Sequence, residues 1–333
     1  MEIYKHKFIA FNGPTVDLTE KQLHAINRFN ELIKNNSVHF EQVSCLCNCE
    51  IFDLIATVDC HGILQQTVMC KKCGLVLSNP RMTEISYRDF YKTDMCRLIY
   101  HSGDIEEYTA DKINNPDTSF NDSQNIFKRV SKFKMINNSL DILEFGAASG
   151  YTFIKAEANV TGIDYCPKCV EIGDKYGVRM IKGGLEKIEG KYDLILLCHV
   201  LEHFLDPIGK LKKIKEHLSE DGLLYISVPN IMNFAMGQIQ NGHTYYFNPE
   251  NFKFYMNCAG LKMIDFGIAQ KIHMYGIFKV ENVTPDNKHL LLSKKKMSKQ
   301  LSKAVYLCYL KLFLKKIGLL NVLRQCKIKF LGK

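Results

Sequence analysis

Three groups of side chains in this 333-residue sequence have the types and spacing for chemistry. The first is the run Asp141-Ile142-Leu143-Glu144-Phe145-Gly146-Ala147-Ala148-Ser149-Gly150. It reads as a buried strand that ends in an acid and enters a glycine-bearing turn, with a helix starting near Tyr151. A strand, a tight turn and a helix start make a nucleotide-binding device, because backbone N–H groups and the helix dipole point at the ligand. The second group is six cysteines between Cys45 and Cys73. Cys45, Cys47 and Cys49 precede the pair Cys70-Lys71-Lys72-Cys73-Gly74 by roughly twenty residues, a spacing that suits four thiolates around a tetrahedral Zn²⁺ ion. The third is His199, His203 and His243, imidazoles near predicted strand ends, where a base that titrates near neutrality is useful.

The glycines decide which nucleotide the turn suits. A dinucleotide fingerprint needs glycine at 146, 148 and 151, and the chain has Gly146, Ala148 and Tyr151. The run instead resembles the acid-x-Gly-x-Gly-x-Gly pattern of S-adenosylmethionine-dependent methyltransferases, at Glu144, Gly146, Ala148 and Gly150. A carboxylate before the turn repels a pyrophosphate and suits a sulfonium with an amino-acid tail. Asp164 follows Glu144 by twenty residues, at the end of the next strand, where a carboxylate can accept both ribose hydroxyls.

The elements that must position these residues alternate. Strands are predicted at 142–145, 160–164, 178–181, 192–197 and 222–228, with helices reaching Tyr176 and running from Pro207 to Leu218 and from Pro249 to Cys258. Leu261–Phe266 and His289–Leu292 are expected to close the sheet as a hairpin, with Tyr275–Asp286 as its loop. The fold class is α/β: a Rossmann-like, doubly wound, seven-stranded sheet with ligands at the carboxyl ends of its strands. It carries a small N-terminal zinc-ribbon module and a basic C-terminal helical tail. The expected divisions are a leader (1–40), a zinc-binding module (41–100), a linker and helix (101–138), the cofactor-binding domain (139–293) and the tail (294–333). In the leader a helix over Thr19–Ile33 is predicted, capped by Thr19 with Gln22 and burying Leu23, Ile26, Asn30 and Ile33. A helix at 123–135 should bury Ile126, Val130 and Phe133.

Val68–Met82, with Phe90-Tyr91, resembles the N-terminal zinc-binding segment of a family of bacterial methyltransferases. Many of these act on sugars, nucleotide-linked sugars or surface polysaccharide. The resemblance implies S-adenosyl-L-methionine and Zn²⁺ as cofactors and a sugar or glycan-type acceptor in surface polysaccharide or nucleotide-sugar biosynthesis. Family members have a Cys-x-x-Cys first knuckle; the Cys-x-Cys-x-Cys here leaves the pair open among Cys45, Cys47 and Cys49, and Cys45 and Cys47 are taken with Cys70 and Cys73. The resemblance also implies cofactor contacts from Gly184 and Leu185, in the Gly183-Gly184-Leu185-Glu186 loop after the third strand, and from His199. Cys198-His199-Val200-Leu201-Glu202-His203 is similar to the His-Val-Leu-Glu-His segment of the superfamily, close to the bound methyl group. In sugar C-methyltransferases of similar layout a histidine and a tyrosine after the fifth strand act on the substrate. This points to His243 and Tyr245 (or Tyr246), with His203 as a further catalytic candidate. O-methylation is favoured over C-methylation. The competing readings are a non-catalytic zinc-containing scaffold and a small-molecule methyltransferase outside glycan metabolism. Cys60 and the pair Cys166 and Cys169 read as packing thiols, and Asp206 as a helix start.

Charge narrows the partners. Twelve of the 44 Lys and Arg lie in residues 294–333, which hold no Asp or Glu, so residues 1–293 carry 32 basic and 35 acidic side chains. That argues for one local anionic partner rather than a nucleic-acid-coating surface. The tail's apolar residues, from Val305 to Leu314 and then Leu319, Leu320, Val322 and Leu323, are interrupted by Lys311, Lys315 and Lys316. The run reads as a basic amphipathic helix on an anionic membrane surface or against the body. No apolar run reaches the ~18–20 residues of a spanning helix, and the start lacks a signal peptide's apolar core. The expected location is the cytoplasm, peripheral to the inner membrane face where the tail engages it.

Overall fold

The computed structural model describes residues 13–100, 105–115, 123–154, 158–233, 239–269 and 272–319. Helix α1 (Glu20–Lys34) opens on the capping box, both of whose reciprocal hydrogen bonds are present. Its buried face is Ala25, Ile26 and Phe29, one step round from the predicted one, and Leu23 is exposed. Strands β1 (Phe40–Glu41), β2 (Phe52–Val58), β3 (Leu64–Cys70), β4 (Val76–Ser78) and β5 (Arg81–Met82) follow. β2, β3 and β4 form an antiparallel meander, while β1 pairs with β5. Helices α2 (Glu84–Lys92) and α3 (Asp94–Tyr100) pack Phe90 and Ile99 against Phe29 and Ile63. Helix α4 (Ile105–Asn114) precedes α5 (Ser123–Val130), which buries Ile126 and Val130 against Ile142 and Leu194. Phe133 lies past the end of α5 and is largely exposed, because that helix stops one turn earlier than its pattern suggests.

The large sheet is built from β6 (Asp141–Phe145), β7 (Asn159–Asp164), β8 (Arg179–Lys182), β9 (Tyr192–Cys198) and β10 (Leu218–Pro229), with α6 (Pro167–Lys175) and α7 (Pro207–Ile214) as crossovers. After β10 come β11 (Tyr245–Tyr246), α8 (Pro249–Cys258), β12 (Leu261–Ala269), β13 (His273–Val280) and α9 (Lys288–Lys316). The seven strands run in the order β12-β13-β10-β9-β6-β7-β8. β6 to β10 are parallel, and β13 lies antiparallel between β10 and β12. Strand order reverses beside β6, which opens a crevice at its carboxyl end.

Three expectations are corrected. His289–Leu292 is not a strand; it belongs to α9, and the hairpin strand is His273–Val280, inside the predicted loop. A run of three leucines has no period that separates strand from helix. β13 instead finds backbone partners on both sides and buries Met274, Ile277 and Phe278. Among the described residues the helix after the glycine turn is a 3₁₀ turn, Tyr151–Phe153, entered from a left-handed Gly150 that supplies no side-chain cap. The tail also has no boundary at residue 293: α9 runs through it, with buried Ser293 hydrogen-bonded to Asn248 and Asn251, and Met297 and Leu301 packed against Ile55, Met69 and Val76. Leu320, Val322 and Leu323 lie outside the described residues.

Module and sheet share one interior. β11 adds to β4, with Tyr245 opposite Leu77 and Tyr246 opposite Val76, giving a four-stranded sheet of order β11-β4-β3-β2. α9 crosses the second cysteine knuckle so closely that a Cβ on Gly74 would lie 2.7 Å from the Lys294 backbone, and Gly74 also has φ +73°. Position 74 therefore requires glycine twice over. Among the described residues no helix is long and apolar enough to cross a membrane.

Candidate active site

At the carboxyl end of β6, Gly146, Ala148 and Gly150 all have positive φ (+70°, +49° and +64°). This explains the alternate-glycine pattern, and Ala148 bears the strain of about 1 kcal/mol that a Cβ brings there. A Cβ on Gly146 would also sit 2.6 Å from Val200 Cγ2. Four of the turn's amides already have partners. The N–H groups of Gly146 and Ala147 donate to Ile163 O, that of Ala148 to Asp164 Oδ2, and that of Gly150 to Ala147 O. What the turn offers is carboxylate. Glu144 is 3 % exposed, and its Oε2 has no hydrogen-bond partner among the described residues. Burial first, then the charge of Asp164, pushes its carboxyl up to about 8. Asp164 ends β7, the neighbouring strand, and accepts from Ala148 and Cys166 N–H at 2.8 Å each. Each of its oxygens keeps a second lone pair.

Gly183 N–H donates to Asp164 O, which brings the loop after β8 alongside. Gly184 lies under Tyr165, where a Cβ would fall 1.8 Å from the phenol oxygen. Leu185 starts a 3₁₀ turn beside it and packs partly into the core. Tyr165, half exposed, is a site residue that motif reading missed; its only signal was adjacency to Asp164.

Across the crevice lies an imidazole and carboxylate cluster. His199 leaves β9 with φ +56° and donates its N–H to Ser227 O, a left-handed conformation costly for a residue with a side chain. Its Nδ1 is 3.2 Å from Glu202 Oε1. Glu202 is 1 % exposed, and its Oε2 has no hydrogen-bond partner among the described residues. Burial opposes its charge, but the His199 hydrogen bond and the charges of His203, His199 and His243 overrule burial and hold the carboxyl at about 2. His203 and His243 stack edge to face with centroids 4.8 Å apart, as do His199 and His273. Burial, then the charge of His199, pushes His273 down to about 4. Sequence reading named the three histidines but missed Glu202, which was legible in the i, i+3 spacing from His199, and His273, which only the true hairpin brings in.

The N-terminal module holds this cluster. Ser78 Oγ donates to His243 O at 2.8 Å and Ser78 N–H to Thr244 O, while Thr244 N–H and Oγ1 donate to Glu202 O. Tyr87 Oη and His203 Nδ1 both contact Gly242 O, and Gly242 N–H donates to Tyr100 Oη at 2.9 Å. Asp59 accepts from the His61, Ile63 and Asn241 amides, so it is a structural hub of the seam. Tyr245 does not join the histidines: its hydroxyl accepts from Arg81 Nη1 at 3.2 Å and donates to Leu205 O, which binds module to sheet. Tyr246 Oη donates to Gln240 O.

In the module, Cys45, Cys47, Cys70 and Cys73 bring their sulfurs within 4.8 Å of one another. The pairs Cys45–Cys73 and Cys47–Cys70 are 3.5 and 3.6 Å apart. Sulfurs 2.3 Å from a tetrahedral Zn²⁺ ion stand about 3.8 Å apart, so the donor set fits that ion. The four thiols are close enough to share hydrogen bonds, which hold Cys70 and Cys47 below their ordinary values and Cys45 and Cys73 above theirs. Cys49 points to Ile51 O instead. Cys60 is a buried thiol, raised by burial and then by Asp59. Cys166 caps α6 by accepting from Cys169 N–H and also contacts Arg97. Asp206 caps α7.

Residues 120–265 match the sequence-family model described as "Methyltransferase domain". Solved structures similar to the chain include an S-adenosylmethionine-dependent methyltransferase from Clostridium acetobutylicum, at 13 % identity over 53 % of this chain and 97 % of that one, TM-score 0.41. A TehB-like S-adenosylmethionine-dependent methyltransferase from Corynebacterium glutamicum is 18 % identical over 53 % of this chain and 98 % of its own, TM-score 0.40. One from Aquifex aeolicus is 15 % identical over 46 % of this chain and 88 % of its own, TM-score 0.39. No curated protein matches the chain. Residues 120–265 thus form a methyltransferase domain, and the seven-stranded sheet has the α/β methyltransferase fold.

Proposed function

We propose that this chain is an S-adenosylmethionine-dependent methyltransferase that acts on a sugar or glycan-type acceptor, in surface polysaccharide or nucleotide-sugar biosynthesis, with O-methylation favoured over C-methylation. The observation that carries the cofactor reading is the pair of carboxylates, buried Glu144 and partly buried Asp164, at a turn where the amides of Gly146, Ala147, Ala148 and Gly150 are already engaged. S-adenosylmethionine supplies an electrophilic methyl group on a cationic sulfur. Asp164 is placed to accept the ribose hydroxyls and Glu144 to meet the cationic end. Gly146, Ala148 and Gly150 shape the turn, Gly184, Leu185 and Tyr165 border the adenine side, and His199 borders the methyl end. His243, with His203 behind it, faces the acceptor, in the loop held by the module. The acceptor class rests on the resemblance of Val68–Met82 to the zinc-binding segment of sugar-modifying enzymes.

Binding should register at Glu144. With its pKa near 8 the carboxyl is mostly protonated at about pH 7, and a cation beside it favours the charged form. Cofactor binding is thus expected to release up to one proton, and affinity should rise with pH between roughly 5 and 8. Titration calorimetry in phosphate and in Tris near pH 7 checks this. Enthalpies that do not differ by the buffers' ionisation heats would remove Glu144 from the site. No heat at all, with unchanged thermal stability, would leave the scaffold reading instead.

We also propose that Cys45, Cys47, Cys70 and Cys73 hold a structural zinc ion, and that the distal half of α9 lies on an anionic membrane surface. Tyr306, Leu310, Phe313 and Ile317 are exposed and recur at i, i+4, i+7 and i+11, one stripe of a helix whose basic residues include Lys315 and Lys316. Each basic side chain near such a surface contributes ~1 kcal/mol. Ending the chain after Ser302 keeps Met297 and Leu301 in the core, and it is expected to abolish sedimentation with phosphatidylserine vesicles. An unchanged partition would rule out the membrane role.

A further inference from the structure

We propose that Glu202, His203 and His243 form a binding site for a divalent transition-metal ion, separate from the four cysteines. A carboxylate oxygen of Glu202 and one nitrogen of each imidazole lie within 4.8 Å of one another. A tetrahedron with metal–ligand bonds of about 2.1 Å has edges of about 3.4 Å, so side-chain rotations close the set.

Two features mark these groups as more than packing. The first is the tautomer of His203. Its Nδ1 is 2.7 Å from Gly242 O and 2.9 Å from Tyr91 Oη. A nitrogen that close to a carbonyl oxygen carries the proton between them, so Nδ1–H is the donor and Nε2 holds the lone pair. A ring N–H given to a backbone carbonyl, with the other nitrogen left bare, is the outer-shell arrangement that orients metal-binding histidines. The second is Glu202. Its Oε1 is engaged by His199, while Oε2 is buried without a hydrogen-bond partner among the described residues. A buried carboxylate oxygen left so is costly, and a cation removes that cost. The backbone around the three ligands is pinned by Ser78, Thr244 and Tyr100, so the set is held from the module and from the sheet at once.

One carboxylate and two imidazoles form the oxygen–nitrogen donor set of catalytic rather than structural sites, and three protein ligands leave positions open. On the proposed function above, those positions would take acceptor oxygen and lower its pKa. A ligating imidazole does not also take the acceptor's proton, which leaves His199, a partly exposed member of the cluster outside the ligand set, to do so. The site itself stands on the side chains and does not depend on that reading.

Mn²⁺ is a suitable probe, because thiolates favour softer ions and it leaves the cysteine site to zinc. Titrating the full zinc-loaded chain with Mn²⁺, and following the electron paramagnetic resonance of free Mn²⁺, is expected to show one bound equivalent. Pulsed measurements on bound Mn²⁺ should show hyperfine coupling to imidazole nitrogen. Glu202→Gln and His243→Ala should each weaken binding at least about ten-fold while keeping one zinc per chain. No bound Mn²⁺ in the wild-type chain, no nitrogen coupling, or unchanged affinity in both variants would overturn the proposal. The wild-type results decide the matter even if a variant fails to fold. Calorimetry with S-adenosylmethionine on the same sample separates the two readings: cofactor heat without Mn²⁺ binding removes only the metal site, and the reverse removes only the cofactor site.

Discussion

Asp164→Ala is expected to lower S-adenosylmethionine affinity about 100-fold, measured by titration calorimetry, and to cut turnover in parallel. Two hydrogen bonds from ribose hydroxyls to a charged acceptor contribute about 1.5–3 kcal/mol each, and each 1.4 kcal/mol is ten-fold in affinity. The same carboxylate accepts the amides of Ala148 and Cys166, so the variant also loosens the glycine turn and the start of α6. A stability loss of about 1–3 kcal/mol should accompany the binding defect. Asp164→Asn distinguishes the two contributions. It retains one acceptor oxygen but turns an N–H₂ group toward an N–H donor, so it should recover stability only in part and affinity hardly at all. Wild-type affinity in the alanine variant would remove Asp164 from the cofactor site.

The second large effect is expected in the module. Cys70→Ser with Cys73→Ser should lose the bound zinc, read by metal analysis, and lower the melting temperature by about 7 °C, which corresponds to a loss of roughly 5 kcal/mol in a chain of this size. Cys45, Cys70 and Cys73 belong to the same core cluster as Leu143, Leu197 and Tyr255, so the damage cannot stay in the module. It travels along β4: Ser78, five residues after Cys73, holds His243 and Thr244 by hydrogen bonds. Turnover should therefore fall further than cofactor affinity does. Cys49→Ser is the control and should keep full metal, because its sulfur faces Ile51 O. Full metal content in the double serine variant would refute the zinc assignment.

What could be read from the chain alone follows the range of the forces that shape it. Helix α8 begins at Pro249 and ends at Cys258 as predicted, because Asn248, Pro249 and the apolar spacing are local signals. The central parallel strands β6, β9 and β10 carry near-continuous buried runs, so they declared themselves. Glu144, Gly146, Ala148, Gly150 and Asp164 sit within twenty-one residues and are set by backbone sterics and strand length. Other features depend on partners far away in the chain. Cys45 and Cys47, rather than Cys49, face Cys70 and Cys73 because of how the first knuckle folds over β3. His273 reaches His199 only because β13 displaces the predicted loop. Tyr245 was expected at the acceptor, yet its hydroxyl bonds to Arg81, since β11 joins the module's sheet. Met297 and Leu301 read as tail and are core. Local pattern determined the carboxylate-lined crevice at the end of β6; only the tertiary structure, by bringing the module's β4 against the chain after β10, decided what stands across from it.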